Sequence, residues 1–245
     1  VDSVAVTLDR AIVVQGAFDN QQQQVYWPIV TLIDLSGTTP TYTIVDMQPF
    51  IGVGNADPHD VAITPQADGA DPIVLAVVTF DQAVSMFNLS NLSYVNTVQT
   101  PSILRRYGLQ VDSVEVSSNR AVVIGYMAGP TWSVKVFSFF TQTPPVPWLT
   151  EVANFSGSGL FPHDLAIHRA ADAAVIKLGV QAASTSTNVV LTNLSTALTK
   201  TELPSSGSPY ADWSGGNPGA RVSDSVLTVS LRVGSQDKKY GVTIG

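Results

Sequence analysis

Two segments of the chain open with the same tripeptide and continue into the same alternation of apolar residues. Pro58-His59-Asp60 precedes Val61-Ala62-Ile63, and Pro162-His163-Asp164 precedes Leu165-Ala166-Ile167. The tripeptide Val-Asp-Ser opens two further segments, at Val1 and Val111. A chain that begins again in this way is built from repeats, each of which buries its apolar surface against its neighbours. The repeats constrain the architecture far more than the activity, because one fold carries many functions.

Charged residues are few. Only 13% of the 245 residues are charged and 44% are hydrophobic, so Ser, Thr, Asn and Gln supply most of the polar surface, as is typical of an extracellular protein. A formal charge of -7 would repel a phosphate backbone, which argues against a nucleic-acid partner. There is no cysteine to form disulfides or thiolate metal sites. No apolar stretch approaches the length of about 20 residues that a membrane span needs.

The chain begins at Val1 rather than at an initiator Met. Two expectations account for this start equally well: removal of a targeting peptide from a secreted protein, or a longer protein of which this is a piece.

Period-two alternation predicts strand after strand, and no helical periodicity is evident. Four successive units each contain four such strands. The first unit has strands at 3–7, 10–17, 28–36 and 42–48, and the second at 60–65, 72–80, 83–90 and 93–100. The third has strands at 113–117, 120–127, 133–140 and 148–155, and the fourth at 164–169, 173–180, 187–195 and 198–204. A fifth, incomplete unit has predicted strands at 220–223, 225–230 and 240–244.

A unit of about 50 residues with four short strands is typical of a blade of a β-propeller. A β-sandwich also has many short strands, but nothing in a sandwich requires the same opening residues in every unit. The sequence therefore predicts an all-β fold, a β-propeller with four complete four-stranded blades plus a partial fifth. The predicted single domain spans residues 1–245, with blades at about 1–56, 57–110, 111–161 and 162–218 and the partial blade at 219–245.

The second blade resembles the YVTN-type and LVIVD-type propeller repeats. The resemblance lies in Pro58 to Pro65, which fits the opening Pro-x-x-Val-Ala-x-Ser/Thr-Pro, and in Asn88-Leu89-Ser90, which fits the close of the third strand. The fourth blade matches the repeat pattern at Pro162 to Ile167 and at Val189 to Ser195, whereas the third blade departs from this pattern. The resemblance implies a propeller fold and a bacterial or archaeal cell-surface protein, and it implies little chemistry.

One structural position recurs in the four predicted first strands. It is occupied by Asp2, His59, Asp112 and His163, with Ser3, Asp60, Ser113 and Asp164 beside them. In a propeller the first strands line the central channel, so these side chains would ring its mouth. Imidazole and carboxylate groups can bind zinc, manganese, iron or calcium, but Asp and Ser also cap turns by accepting backbone N–H bonds. We expect the capping role, no tightly bound metal and no cofactor.

Long predicted loops carry most of the aromatic residues outside the strands. These loops fall on the propeller face where the ring opens, and aromatic side chains there would bind a protein or a glycan, or would fold down as local cores. The aromatic residues proposed for binding are Tyr26, Trp27, Tyr107, Trp132, Tyr210 and Trp213, with Phe50 and Phe161 nearby. Glycosylation sequons begin at Asn88, Asn91, Asn154 and Asn193.

Two functions remain open from the sequence. The first is an extracellular or cell-surface binding or scaffold propeller that uses the loop face to bind a protein or glycan. The alternative is a secreted hydrolase, lactonase-like or glycosidase-like, with a channel-mouth site made of Asp60, Asp164, His59 and His163. No nucleophile or acid–base motif of known spacing is present, which favours the binding protein over an enzyme.

Overall fold

A computed structural model of the chain describes residues 3–18, 26–51, 58–64, 73–100, 114–117, 119–127, 131–140, 146–168, 172–179, 186–204, 227–233 and 236–242. Within these ranges the protein is built from antiparallel β-sheets. Sheet 1 contains β1 (Ser3–Val6), β2 (Arg10–Phe18), β3 (Tyr26–Asp34) and β4 (Thr41–Asp46). Sheet 2 contains β5 (Pro58–Ile63), β6 (Leu75–Phe80), β7 (Ala83–Asn88) and β8 (Ser93–Gln99).

The second half of the chain repeats this arrangement. Sheet 3 contains β9 (Val114–Val116), β10 (Arg120–Met127), β11 (Thr131–Phe140) and β12 (Pro147–Ser158). Sheet 4 contains β13 (Phe161–His168), β14 (Ala173–Gly179), β15 (Ser186–Thr192) and β16 (Thr199–Pro204). Every one of the four sheets has its strands paired in chain order. The all-β class and the four four-stranded units are therefore confirmed.

Two predictions from the sequence need correction. A short helix, α1 (Gln48–Ile51), follows β4, although no helix was expected; four residues are too few to show helical periodicity. The last sheet is a hairpin of β17 (Leu227–Val233) and β18 (Gln236–Val242). The predicted strands at 225–230 and 240–244 were placed too far apart, because only residues 234 and 235 separate the paired strands. The predicted strand at 220–223 lies outside the described residues.

Apolar residues pack between consecutive sheets. Sheets 1 and 2 share one core, sheets 2 and 3 a second, and sheets 3 and 4 a third. Sheets 2 and 3 are thus covered on both faces, so β6 is buried at every residue and is apolar except at Thr79. The first strands lie next to one another in chain order, with β1 against β5, β5 against β9 and β9 against β13. Among the described helices none has the length and apolar character needed to cross a membrane.

Candidate functional site

Both Pro-His-Asp segments form the start of a first strand and carry the same irregularity. The pairing of β5 with β6 shifts between Pro58 and Asp60, and the pairing of β13 with β14 shifts between Pro162 and Asp164. His59 and His163 therefore occupy equivalent bulges, which the sequence repeat alone does not reveal. A bulge bends the strand and redirects the side chains beside it.

Asp60 joins the first strands of three sheets. Its Oδ1 accepts a hydrogen bond from the backbone N–H of Val61 (2.8 Å) and another from the hydroxyl of Ser3 on β1 (3.4 Å). Its Oδ2 accepts the backbone N–H of Val114 on β9 (3.2 Å). The carboxylate is buried, so these donors replace the water that it would otherwise bind. This is the capping role expected from the sequence, extended here to two neighbouring sheets.

His59 is buried and bonded to a carboxylate. Its Nε2 lies 2.6 Å from Oδ1 of Asp81, in the turn between β6 and β7. The pair is not repeated in the sequence, because residues 180–185 after β14 contain no acidic residue. His163 and Asp164 lie on β13, but their side chains fall outside the described part of the molecule, as do Asp2 and Asp112 entirely.

The ring of four residues cannot be assembled from the described side chains. In that part of the chain no group of three His, Asp or Glu residues is placed to hold a metal. Since the side chains of Asp2, Asp112 and His163 are not described, the expectation that the ring binds no metal tightly stays a prediction.

Trp132 is not on an exposed loop, which corrects the prediction that it belongs to a binding face. It lies on β11 opposite Gly157 of β12, is only 4% exposed, and packs into the core between sheets 3 and 4. Glycine leaves room for the indole: a Cβ at Gly157 would lie 2.6 Å from Trp132 ring atoms. The strand begins earlier than predicted, at Thr131, and so includes the tryptophan.

The other aromatic candidates are only partly described. Tyr26 and Trp27 lie on β3, paired with Phe18 and Ala17 of β2, which corrects the prediction that both belong to the loop between these strands. Tyr107, Tyr210 and Trp213 lie outside the described residues. Phe50 on α1 stacks on Tyr94 of β8, with ring centroids 4.0 Å apart, so it pins its loop to sheet 2. The stacking fits the local-core alternative for Phe50, which is still 37% exposed.

Two arginines that the sequence analysis did not single out connect neighbouring sheets. Arg10, at the start of β2, donates from Nε to the carbonyl of Leu89 in sheet 2 (3.0 Å). Arg120, at the start of β10, donates in the same way to the carbonyl of Leu194 in sheet 4 (2.8 Å). Both acceptors belong to Asn-Leu-Ser turns. The signal was present in the sequence, where Thr7-Leu8-Asp9-Arg10 and Ser117-Ser118-Asn119-Arg120 occupy equivalent turns.

The charges around these arginines are balanced by partners. Arg10 also lies 2.6 Å from the Asp34 carboxylate. The hydroxyl and backbone N–H of Ser36 hold the pKa of Asp34 below its ordinary value, and Arg10 contributes further. Burial lowers the pKa of the Arg120 guanidinium, an effect that the Asp172 carboxylate opposes. Both arginines therefore join neighbouring sheets, and these contacts account for their positions without a ligand.

The four sequons lie on described residues. Asn91, Asn154 and Asn193 are exposed, whereas Asn88 is half-buried and accepts the backbone N–H of Ser90 within its turn. Asn193 has a positive φ of 56°, which asparagine tolerates better than most residues. The exposure of the asparagine side chains therefore favours Asn91, Asn154 and Asn193 over Asn88 as glycosylation sites.

No family model matches the sequence, and no curated protein matches it. Among solved structures, the chain is similar to one in the crystal structure of the Chaetomium thermophilum Nup170 NTD-Nup53 complex, with 13% sequence identity and a TM-score of 0.43. The similarity covers 82% of this chain and 28% of that one, so our chain corresponds to less than a third of the protein it matches.

Proposed function

We propose that the four sheets are blades of a β-propeller, with β17 and β18 as a partial fifth, and that the protein is a binding or scaffold module at a cell surface. The contact of successive first strands supports the radial arrangement, because in a propeller these strands surround the axis. The low share of charged residues supports a secreted or surface protein. The proposed ligand is a protein or a glycan.

The hydrogen bonding of the Asp60 carboxylate favours a binding protein over a hydrolase. A catalytic carboxylate needs an oxygen that can reach substrate, but Oδ1 of Asp60 accepts hydrogen bonds from Val61 of its own strand and Ser3 of β1, and Oδ2 accepts one from Val114 of β9. His59 is likewise bonded to Asp81 and buried. Both groups therefore have structural partners that account for them.

Changing Asp60 to Asn tests whether the carboxylate has the structural role that its hydrogen bonds indicate. We expect the free energy of unfolding to fall by about 1–3 kcal/mol, because the amide replaces one accepting oxygen with an NH₂ group that faces backbone or hydroxyl donors. Urea denaturation measures this. Asp46→Asn is the matched control: Asp46 is exposed, and its Oδ1 accepts the backbone N–H of Gln48, a bond that asparagine can also accept, so stability should change by about 0.5 kcal/mol or less. Unchanged stability in Asp60→Asn would remove this argument against a catalytic role.

The binding face is tested with two tryptophans that remain candidates. We expect the double change Trp27→Ala and Trp213→Ala to weaken binding to a glycan array or to intact cell surfaces by about tenfold or more, as loss of aromatic anchors does. Trp148→Ala is the control, since Trp148 is an exposed tryptophan on the outer strand β12. Equal losses in the control and the double variant, or no loss in either, would reject the loop face.

A further inference from the structure

Lys135 is a buried lysine on β11, an interior strand of sheet 3. Only 6% of the residue is exposed, although its side chain is long and charged. Its Nζ lies 2.6 Å from Oε2 of Glu151 on the neighbouring strand β12. Lysine is almost never buried so fully without a partner, and a buried ion pair adds little net stability, because both charges must leave water. The pair is therefore weak evidence for a purely stabilising role.

The strand register places an asparagine directly opposite this lysine. Lys135 of β11 pairs with Asn154 of β12, and cross-strand partners have Cβ atoms about 4.5–5.5 Å apart. The hydroxyl of Ser133 lies 3.1 Å from Oδ1 of Asn154, to which it donates, and 3.2 Å from the carbonyl oxygen of Phe155. A donor on Oδ1 stabilises negative charge on this oxygen, so Cγ of Asn154 becomes more susceptible to attack by an amine.

An irregularity in β12 brings Glu151 to the same face of the sheet as Asn154. In a regular strand, residues three apart lie on opposite faces. Here the pairing skips Val152, so that Glu151 pairs with Phe137 while Asn154 pairs with Lys135. Lys135 and Phe137 are two apart on β11 and share a face, so the amine, the amide and the carboxylate lie together. Phe137 is fully buried in the core between sheets 2 and 3, so the three groups border an apolar region.

We propose that Lys135 and Asn154 form an intramolecular amide bond, with Glu151 as the acid–base catalyst. Glu151 takes a proton from the lysine ammonium, and the neutral amine attacks Cγ of Asn154. A second amine proton passes through the carboxylate to the side-chain nitrogen of Asn154, the bond from Cγ to that nitrogen breaks, and ammonia leaves with the proton that Glu151 first removed. An ammonium and a primary amide thus give a secondary amide and an ammonium ion, with no oxidant or other reactant.

The position of Asn154 suits this reaction. Asn154 is exposed, so the released ammonia can reach solvent. The amide would join β11 covalently to the outer strand β12, whatever ligand the protein binds, and would remove Asn154 from the glycosylation candidates.

Digestion of the denatured whole chain with trypsin, followed by mass spectrometry, tests the bond. Trypsin cleaves after lysine and arginine, and an amide on Nζ of Lys135 blocks cleavage there. Residues 121–169 should therefore remain one peptide, lighter than its sequence mass by one ammonia. The intact mass alone does not locate the bond, because the register also places Lys177 opposite Asn188. A succinimide at an asparagine also loses ammonia, but it leaves Lys135 cleavable and would contradict the proposal.

Three variants separate the catalysed cross-link from an ordinary ion pair. Asn154→Ala should restore cleavage at Lys135, and Glu151→Gln should slow formation of the link about a hundredfold or more in a time course of freshly synthesised protein, as loss of a general acid–base group does. Asn91→Ala, at another exposed asparagine, is the matched control and should leave peptide 121–169 uncleaved. Urea denaturation establishes that each variant folds. Cleavage at Lys135 in the wild type, an uncleaved peptide in Asn154→Ala, or an unchanged rate in folded Glu151→Gln would overturn the proposal.

Discussion

Replacing Trp132 with alanine is expected to lower the free energy of unfolding by about 3–5 kcal/mol, the range for removing a large buried aromatic side chain. The indole fills the space over Gly157 and packs in the core between sheets 3 and 4. Lys200 of sheet 4 also places its ammonium 5.7 Å from the centre of the Trp132 ring, which adds a cation–π contact. Guanidinium denaturation measures the loss.

Two further variants show whether the cause is this packing. Trp148→Ala removes a half-exposed tryptophan from the same sheet and should cost about 1 kcal/mol or less. Gly157→Ala alone should be destabilising, because its Cβ would lie 2.6 Å from the Trp132 ring. In a Trp132→Ala background the same glycine change should cost little. Additive effects of the Trp132 and Gly157 changes would contradict the proposed contact.

The second large effect is expected at Asn96. Its side-chain amide forms two hydrogen bonds with the backbone of Leu149 in the next sheet: Nδ2 donates to the carbonyl, and Oδ1 accepts the N–H, both at 2.9 Å. Since these groups are buried, Asn96→Ala leaves a backbone donor and a backbone acceptor unsatisfied. We expect a loss of about 2–4 kcal/mol in the free energy of unfolding.

Asn91→Ala provides the comparison for Asn96. Asn91 is exposed and accepts only a bond from the Ser93 hydroxyl (2.6 Å), so its removal should change stability by about 0.5 kcal/mol or less. Amide hydrogen exchange gives a second measurement: exchange at the N–H of Leu149 should become faster in Asn96→Ala and remain unchanged in Asn91→Ala. Equal stability of the two variants would show that the amide does not join sheets 2 and 3.

The strands were predictable because their signal is local. Residues 120–127 were predicted as a strand and form β10 with the same ends, since the apolar run from Ala121 to Ile124 is visible in neighbouring residues. The strand β12 was predicted too short, at 148–155 rather than Pro147–Ser158. Its missed end contains Gly157, which sequence reasoning treats as a strand breaker, and only the Trp132 ring on the next strand explains the glycine.

The contacts at the candidate site, unlike the strands, could not be predicted from the sequence. The repeat drew attention to His59 and Asp60, but a sequence cannot show that Ser3 and Val114 approach the Asp60 carboxylate from two other sheets. Asp81 was not considered at all, because nothing in its neighbourhood marks it as the partner of His59. Contacts between distant residues depend on how the sheets pack, and a lone polar residue carries no signal of its partner.

The sequence by itself determined the class of the fold, the four-strand unit and its repetition, because alternation with period two and repeated turn residues act over a few positions. Only the tertiary structure decided which apolar residues are buried. Val4 and Val114 stand at equivalent positions in nearly the same sequence, yet one is exposed and the other is covered by sheet 2. Burial depends on the surface that lies opposite, and for Val114 that surface comes from another part of the chain.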